Sequence, residues 1–499
     1  MWRRSIYRAN WLTRRESLSH AASGVASIAA IDLLLRDGVL LPSASAKEKS
    51  SQKDGAAEFS GASGLHHEAR AKHVIHIFLG GGLSHIDSFD YKPELEKYHD
   101  RDMPAEFGKA DPFMGKAGKL HRPHYAFAKR GQSGLWMSDL FPHLIEVADE
   151  LTVINSMVAE TANHIPGIFQ ANTGFRQMGF PAMGAWLSYG LGNLTENLPG
   201  FVVLPDARGI PNSAGGAFNW SSGFLPAQFQ GVPFMTQGGV AIPDLTPASG
   251  LDSVTQQDRL DLLGQLNARH LNERGGSDLL SARIRSYELA ARMQTAIPEA
   301  MDFSSEPEHV QTLYGLDRPE CRDTARNCLT ARRLVERGVR TVQLWTGDGV
   351  SWDAHGDIKG DGYKSHTGES LRVDRPISAL IQDLRQRGLL DSTIVMITTE
   401  FGRTPYAQAD QGKLSRGRDH HPEGFTNVVV GGGFRKGFAF GATDEIGYSA
   451  RENPVTTYDL HATVLHLMGI DHERLTYYHN GIQRRLTNVH GHVVREILT

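Results

Sequence analysis

Three β-branched runs, each opening into a loop that carries acid or histidine, constrain this chain more than any other feature. Val74-Ile75-His76-Ile77-Phe78-Leu79 leads into Gly80-Gly81-Gly82 and then Asp87. Thr341-Val342-Gln343-Leu344-Trp345 leads to Asp353 and His355, and Thr393-Ile394-Val395-Met396-Ile397-Thr398-Thr399 delivers Glu400 directly. Apolar runs of this length and composition read as buried strands. A polar loop, Arg416-Gly417-Arg418-Asp419-His420-His421, precedes a fourth run, Asn427-Val428-Val429-Val430. Asp87, Asp353, His355, His366, Glu400, Asp419, His420 and His421 therefore fall in four short Gly-rich stretches. Parallel sheets place ligands in the crevice beyond the C-terminal ends of their strands, so this layout predicts a metal site on one sheet edge.

Further strand runs at residues 151–155 and 201–204, with helical patterns between them, give the alternation of a doubly wound α/β sheet. At 499 residues and 40% apolar content the chain has ample length to bury a core. Residues 205–330 have a different texture: Gly, Asn, Ser and Phe dominate up to Gly250, and helical spacing follows over 258–273 and 278–295. This segment is expected to be an insertion or cap beside the sheet. Cys321 and Cys328 share a helical pattern that Gly338 would cap, which puts them about 10 Å apart along the axis and predicts buried thiols rather than a disulfide.

Residues 1–46 read as a targeting segment. Arg3, Arg4 and Arg8 precede Thr13-Arg14-Arg15-Glu16-Ser17-Leu18, an apolar stretch covers 21–35, and Ala44-Ser45-Ala46 offers a cleavage site. The pattern resembles a bacterial twin-arginine signal, which implies an exported, periplasmic or extracellular protein. Residues 47–70, rich in Lys, Ser, Gly and Glu, are expected to tether the signal to a domain over 71–499. No apolar span of about 18 residues follows the N-terminal region, so no transmembrane segment is expected in the exported chain. Residues 1–46 hold six Lys or Arg and three Asp or Glu, so their removal moves the net charge from −4 to −7. That acidity argues against nucleic-acid or anionic-membrane partners, and an anionic substrate must be drawn locally by a metal and a few arginines.

Each motif admits a plainer reading. The glycines of 79–90 fit neither a dinucleotide fingerprint nor a Walker loop, because His85 stands at the last Gly position and no Gly-Lys-Ser/Thr follows. Asp87 either binds metal or caps a turn, and Asp90 reads as structural. Asp353 and His355, two apart in an extended loop, can turn toward one point, and His366 either joins them or lines the entrance. Arg403, in Glu400-Phe401-Gly402-Arg403-Thr404-Pro405, either grips an anionic oxygen or pairs with Glu400. Asp419-His420-His421 is the densest imidazole cluster. Most other histidines, including His472, His479, His490 and His492, are expected at the surface.

Leu79-Gly80-Gly81-Gly82-Leu83-Ser84-His85-Ile86-Asp87-Ser88-Phe89-Asp90-Tyr91-Lys92-Pro93, Trp352-Asp353-Ala354-His355, Glu400-Phe401-Gly402-Arg403-Thr404-Pro405 and Gly417-Arg418-Asp419-His420 together resemble the family of unknown function DUF1501, which groups with sulfatases in the alkaline-phosphatase-like superfamily. The likeness runs from the twin-arginine region to the end of the chain. It implies a three-layer αβα sandwich with a mostly parallel central sheet. It also implies one or two divalent metals (zinc, manganese or calcium), for which Asp87, Asp353, His355, Glu400 and His420 become the ligand candidates, with His366 and Asp419 beside them. Glu400-Phe401 stands where the superfamily carries Asp-His, which removes one imidazole. Neither cysteine lies in the Cys-x-Pro/Ala-x-Arg segment that formylglycine formation requires. The helix start Thr161-Ala162-Asn163-His164-Ile165-Pro166-Gly167 instead places His164 near the nucleophile position, as ligand, base or nucleophile, with Thr161 as the hydroxyl alternative and Arg403 to steady the anion. The expected activity is hydrolysis of phosphate or sulfate esters, including sulfated or phosphorylated carbohydrate. The alternative is a non-catalytic binding protein that retains the fold and a structural metal.

Overall fold

The computed structural model describes residues 64–499 apart from 114–115, 238–252, 274–277, 363, 411–412 and 415. The expected signal segment and most of the expected tether lie outside these residues. The last part of the expected tether packs on the body, where the Arg70 and Ala71 N–H groups both donate to the Leu467 carbonyl at 2.9 Å.

Nine strands build the central sheet: β1 (His73–Phe78), β2 (Leu151–Val158), β3 (Phe201–Leu204), β4 (Val232–Pro233), β5 (Thr341–Trp345), β6 (Thr393–Thr398), β7 (Phe425–Val430), β8 (Phe438–Phe440) and β9 (Val455–Thr456). The order across the sheet is β8-β2-β7-β6-β1-β5-β3-β4, and β9 also pairs with β2. Every pairing is parallel except the two made by β7, which runs against β2 and β6. In β1, Val74 pairs with Thr341 of β5 and with Ile394 of β6, so three loop-bearing strands end side by side.

The period of two along these strands makes the layers. Ile75 and Ile77 of β1, Val395 and Ile397 of β6, and Val428 and Val430 of β7 join one core. Val74, Ile394, Met396 and Val429 join the opposite one, as alternation of side chains across a sheet requires. Eight helices complete the elements used below: α1 (His164–Thr173), α2 (Met183–Leu191), α3 (Ser253–Glu273), α4 (Asp278–Met301), α5 (Glu308–Tyr314), α6 (Arg322–Glu336), α7 (His366–Gln386) and α8 (Thr457–Leu467). The first core takes Cys328 and Leu329 of α6 and Ile377 and Leu380 of α7. The second takes Trp186 of α2 and Leu460 and Val464 of α8. This is the expected α/β sandwich with a mostly parallel sheet.

The 205–330 stretch is less separate than its composition implies. Met293, Ile297 and Ala300, in the last turns of α4, enter the first core, and α6 runs through position 330 to Glu336 as a buried helix of that layer. Cys321 stands at the N-terminus of α6 and Cys328 inside it, both as free, buried thiols. Among the described residues no helix is long and apolar enough to cross a membrane.

Candidate metal centre

Close approach of two loops shapes the site. Gly81, at φ 118°, follows β1, and a Cβ there would lie 2.6 Å from the Asp353 backbone nitrogen and 2.7 Å from that of Trp352. Only a residue without a side chain lets the loop after β1 press against the loop after β5. Gly417 does the same on the far side, where a Cβ would meet the His355 carbonyl oxygen at 2.0 Å.

Asp353 is the centre of the arrangement. Its Oδ1 lies 2.9 Å from His355 Nε2, 3.0 Å from His420 Nε2 and 3.3 Å from His164 Nε2. The His355 and His420 Nε2 atoms are 2.9 Å apart. His164, Asp353 and His420 offer ligand atoms that all lie within 4.8 Å of one another. His164 comes from the first residue of α1. His420 comes from a two-residue strand, His420–His421, paired antiparallel with Gly402–Arg403. Neighbours on a strand face opposite ways. His420 therefore points to Asp353 while His421 stacks on Tyr448 at a ring separation of 4.1 Å.

The second nitrogen of each outer imidazole is anchored. His164 Nδ1 lies 2.7 Å from Glu400 Oε1, and His420 Nδ1 lies 2.8 Å from the Ala162 carbonyl oxygen. These acceptors hold the Nδ1 protons, so each Nε2 donates to Asp353 when its ring is charged and can offer its lone pair to a cation at the same point once that proton leaves. Burial, first among the causes, pushes His420 down to about 3, which favours the form that gives its Nε2 to a cation. Burial also pulls His164 down, but its contacts with Asp353 and Glu400 outweigh this and raise its pKa. Desolvation opposes ionisation of Asp353, yet His164, His355, His420 and Arg403 hold its carboxyl well below the usual range. Nitrogen lone pairs and a carboxylate oxygen converging in one place make a site that fits a divalent cation.

Residues 71–498 match the family described as a protein of unknown function, DUF1501. The chain belongs to the DUF1501 family. No curated protein matches it. Among solved structures it is similar to a protein in the alkaline phosphatase superfamily from Vibrio parahaemolyticus, with 12% identity and a TM-score of 0.36 over 83% of this chain and 70% of that one. PsFucS1 sulfatase from Pseudoalteromonas sp. matches at 12% identity and a TM-score of 0.34 over 83% and 74%. Phosphonate monoester hydrolase SpPMH from Silicibacter pomeroyi matches at 12% and 0.33 over 72% and 71%.

The other expected site residues of this family member have different surroundings. Asp87 is fully buried and spent on protein donors: Ser84 Oγ (2.5 Å), the His124 N–H (2.7 Å) and Arg418 Nε (2.6 Å). Desolvation works against its charge, but Arg418 and His124 hold its carboxyl far below the usual range. Glu400 accepts the Gly81 N–H on both oxygens (2.9 and 3.1 Å) and the Thr399 hydroxyl (3.1 Å), besides His164. It therefore stands behind an imidazole rather than at the cluster. Asp419 Oδ1 accepts the His420 N–H at 2.8 Å and lies 4.0 Å from His355 Nδ1. His366 begins α7, and its Nε2 accepts the Ser84 N–H at 2.8 Å. Arg403, 0% exposed, sends its guanidinium to the Gly81, Gly82 and Arg418 carbonyls and to Asp353 Oδ1 (2.8 Å), where it meets a carboxylate in place of an external anion. Thr161, half-buried ahead of α1, accepts the Asn163 N–H at 3.1 Å.

Sequence reasoning missed the Ala162 carbonyl, which only tertiary placement reveals, and Lys364, whose Nζ lies 3.3 Å from Asp353 Oδ2. It also missed Phe113, 42% exposed, which stacks on His420 at 5.1 Å. An open cleft of about 420 Å³, lined by Asp353, His355, Asp357, Asp361 and Lys364 among others, leads to the cluster.

Proposed function

We propose that this chain is an exported, metal-dependent hydrolase of phosphate or sulfate esters that works without formylglycine, within the sulfatase-like branch of the alkaline-phosphatase-like superfamily. One observation carries the reading: three imidazole Nε2 atoms converge on a single carboxylate oxygen at the end of a ligand-sized cleft. His164, Asp353, His355 and His420 would hold the ion. Three nitrogens and one oxygen suit zinc first, with manganese second and calcium, which takes oxygen ligands, last. A divalent cation bound there polarises an ester oxygen and lowers the pKa of an attacking water or hydroxyl.

The chain's own groups complete the chemistry. Glu400 and the Ala162 carbonyl fix the two outer imidazoles in the tautomer that presents Nε2, and Arg403 neutralises Asp353 from the buried side. Thr161, the half-buried hydroxyl beside Ala162, is the candidate internal nucleophile. The substrate class is an anionic ester, including sulfated or phosphorylated carbohydrate. No cysteine serves the reaction, since Cys321 and Cys328 are buried with α6.

The test is elemental analysis of the purified chain beside an Asp353→Ala, His355→Ala double variant, followed by aryl phosphate and aryl sulfate assays. Near-stoichiometric zinc or manganese that vanishes in the variant, with turnover of either ester, is the expected result. Negligible metal in both proteins overturns the proposal. The internal commitment of the Arg403 and Arg418 guanidinium groups favours a second reading, a metal-holding binding protein without turnover, and retained metal with no hydrolysis of any ester would select it.

A further inference from the structure

We propose that Lys364 is the substrate-binding cation of this site, the group that receives a phosphoryl or sulfuryl oxyanion beside the metal; the inference rests on the metal-dependent hydrolase reading. Among the described residues that line the cleft, Lys364 is the one Lys or Arg. The buried guanidinium groups nearby are committed elsewhere. Arg403 is held by four carbonyls and Asp353, and Arg418 by Asp87 and the Thr404, His121 and Arg122 carbonyls. Lys364 instead keeps 40% of its side chain exposed, and its partner atom among the described residues, Asp353 Oδ2, is 3.3 Å away. The two oxygens of Asp353 thus divide their neighbours: Oδ1 faces the three imidazoles and Arg403, and Oδ2 faces the ammonium. An oxyanion bound at the imidazole cluster would lie within the sweep of a flexible four-carbon stem that already reaches the same carboxylate.

The backbone fixes where this side chain starts. Lys364 has φ 62°, a conformation that a non-glycine residue seldom takes. The next residue, Ser365, is pinned on both sides: its Oγ donates to the Gly362 carbonyl at 2.5 Å and accepts the Gly368 N–H at 3.1 Å as the cap of α7. The cap fixes the start of the helix and thereby the direction in which the preceding lysine leaves the chain. A lysine with only a solubilising role gains nothing from such a position, since any exposed turn would serve it.

The experiment uses the full chain loaded with Mn²⁺ and inorganic phosphate as the probe, with phosphate affinity and Mn²⁺ content both measured by titration calorimetry. Lys364→Met is expected to weaken phosphate binding about tenfold, the scale of one lost charge-assisted hydrogen bond. Its Mn²⁺ stoichiometry should stay unchanged. Lys364→Arg should retain affinity to within about threefold, because the charge remains in reach. Lys364→Gly, which suits the backbone angle, repeats the test should the Met variant fold poorly. Unchanged phosphate affinity in Mn²⁺-loaded Met and Gly variants overturns the role of Lys364 and leaves the metal site standing. A wild-type chain that takes up neither Mn²⁺ nor Zn²⁺ overturns both.

Discussion

Asp87 and Glu400 both follow strands of the same sheet edge, but their partners give them different work. Asp87 and Arg418 have side chains with 0% exposure, 2.6 Å apart, and removing one member of such a pair strands the other charge without water. Asp87→Asn should therefore cost about 3–5 kcal/mol of stability in urea denaturation, while protein recovered folded keeps its metal. Loss of metal with stability intact would instead make Asp87 a ligand. Glu400→Gln keeps the shape but removes the charge that takes the His164 Nδ1 proton at 2.7 Å. Metal affinity, read by competition with a chelating dye, should fall about 10- to 100-fold while the fold persists, as for other groups that orient a ligand. Affinity equal to wild type would remove Glu400 from the site. The sequence could list these carboxylates but not rank them, because their roles depend on Arg418, Gly81 and His164, which lie 331, 319 and 236 residues away in the chain.

Six of the nine sheet strands were legible because they are largely buried on both faces and so carry apolar runs; Thr341–Trp345 and Phe201–Leu204 fall at the positions that the residues alone predict. The short strands β4, β8 and β9, two or three residues long and partly exposed, carry no such run. Two further features were not legible. The reversed direction of β7 leaves no mark in Phe425–Val430, whose residues are as buried as those of its parallel neighbours. The ribbon that pairs Gly402–Arg403 with His420–His421 is held by two residues on each side and has no hydrophobic run to announce it, yet it is what turns His420 inward and His421 outward. The first glycines after β1 serve contact between elements. Gly81→Ala would drive a methyl group into the Asp353 and Trp352 backbone at a φ of 118°. The strained angle alone costs about 1–3 kcal/mol, and the forced shift of the β5 loop should also weaken metal binding. A lower melting temperature together with reduced metal uptake is the expected pair of results, and unchanged metal affinity would separate the glycine from the site.

Across the whole molecule, histidine divides between surface and core. His490 and His492 are exposed, as expected, and His479 is half-buried. His472, expected outside, is buried against the Thr487 hydroxyl, and His76 and His461 are buried in contact with Thr398 Oγ1 (2.6 Å) and the Ala171 carbonyl (3.0 Å). Hydrophobic periodicity could not reveal this, since an imidazole with one satisfied nitrogen fits a core position that a pattern of apolar letters leaves blank. Burial holds His76 down to about 3 and His461 to about 4. Both stay neutral in the fold, while the unfolded chain protonates them below its ordinary value of 6.5. The unfolded state then binds more protons, so stability is full above pH 6.5 and is lost as pH falls toward 4, by about 1.4 kcal/mol per pH unit for each imidazole. Asp374, which burial pushes up to about 6, acts in the opposite sense over part of that range. Two histidines outweigh it, and His85 and His366, held to about 4 and about 3, add to the same slope. Urea midpoints taken between pH 7.5 and 4.5 should fall steeply for the natural chain and less steeply for a His76→Asn, His461→Asn double variant, whatever its absolute stability. Identical slopes would mean that these imidazoles are already protonated in the folded protein, and that its acid lability has another source.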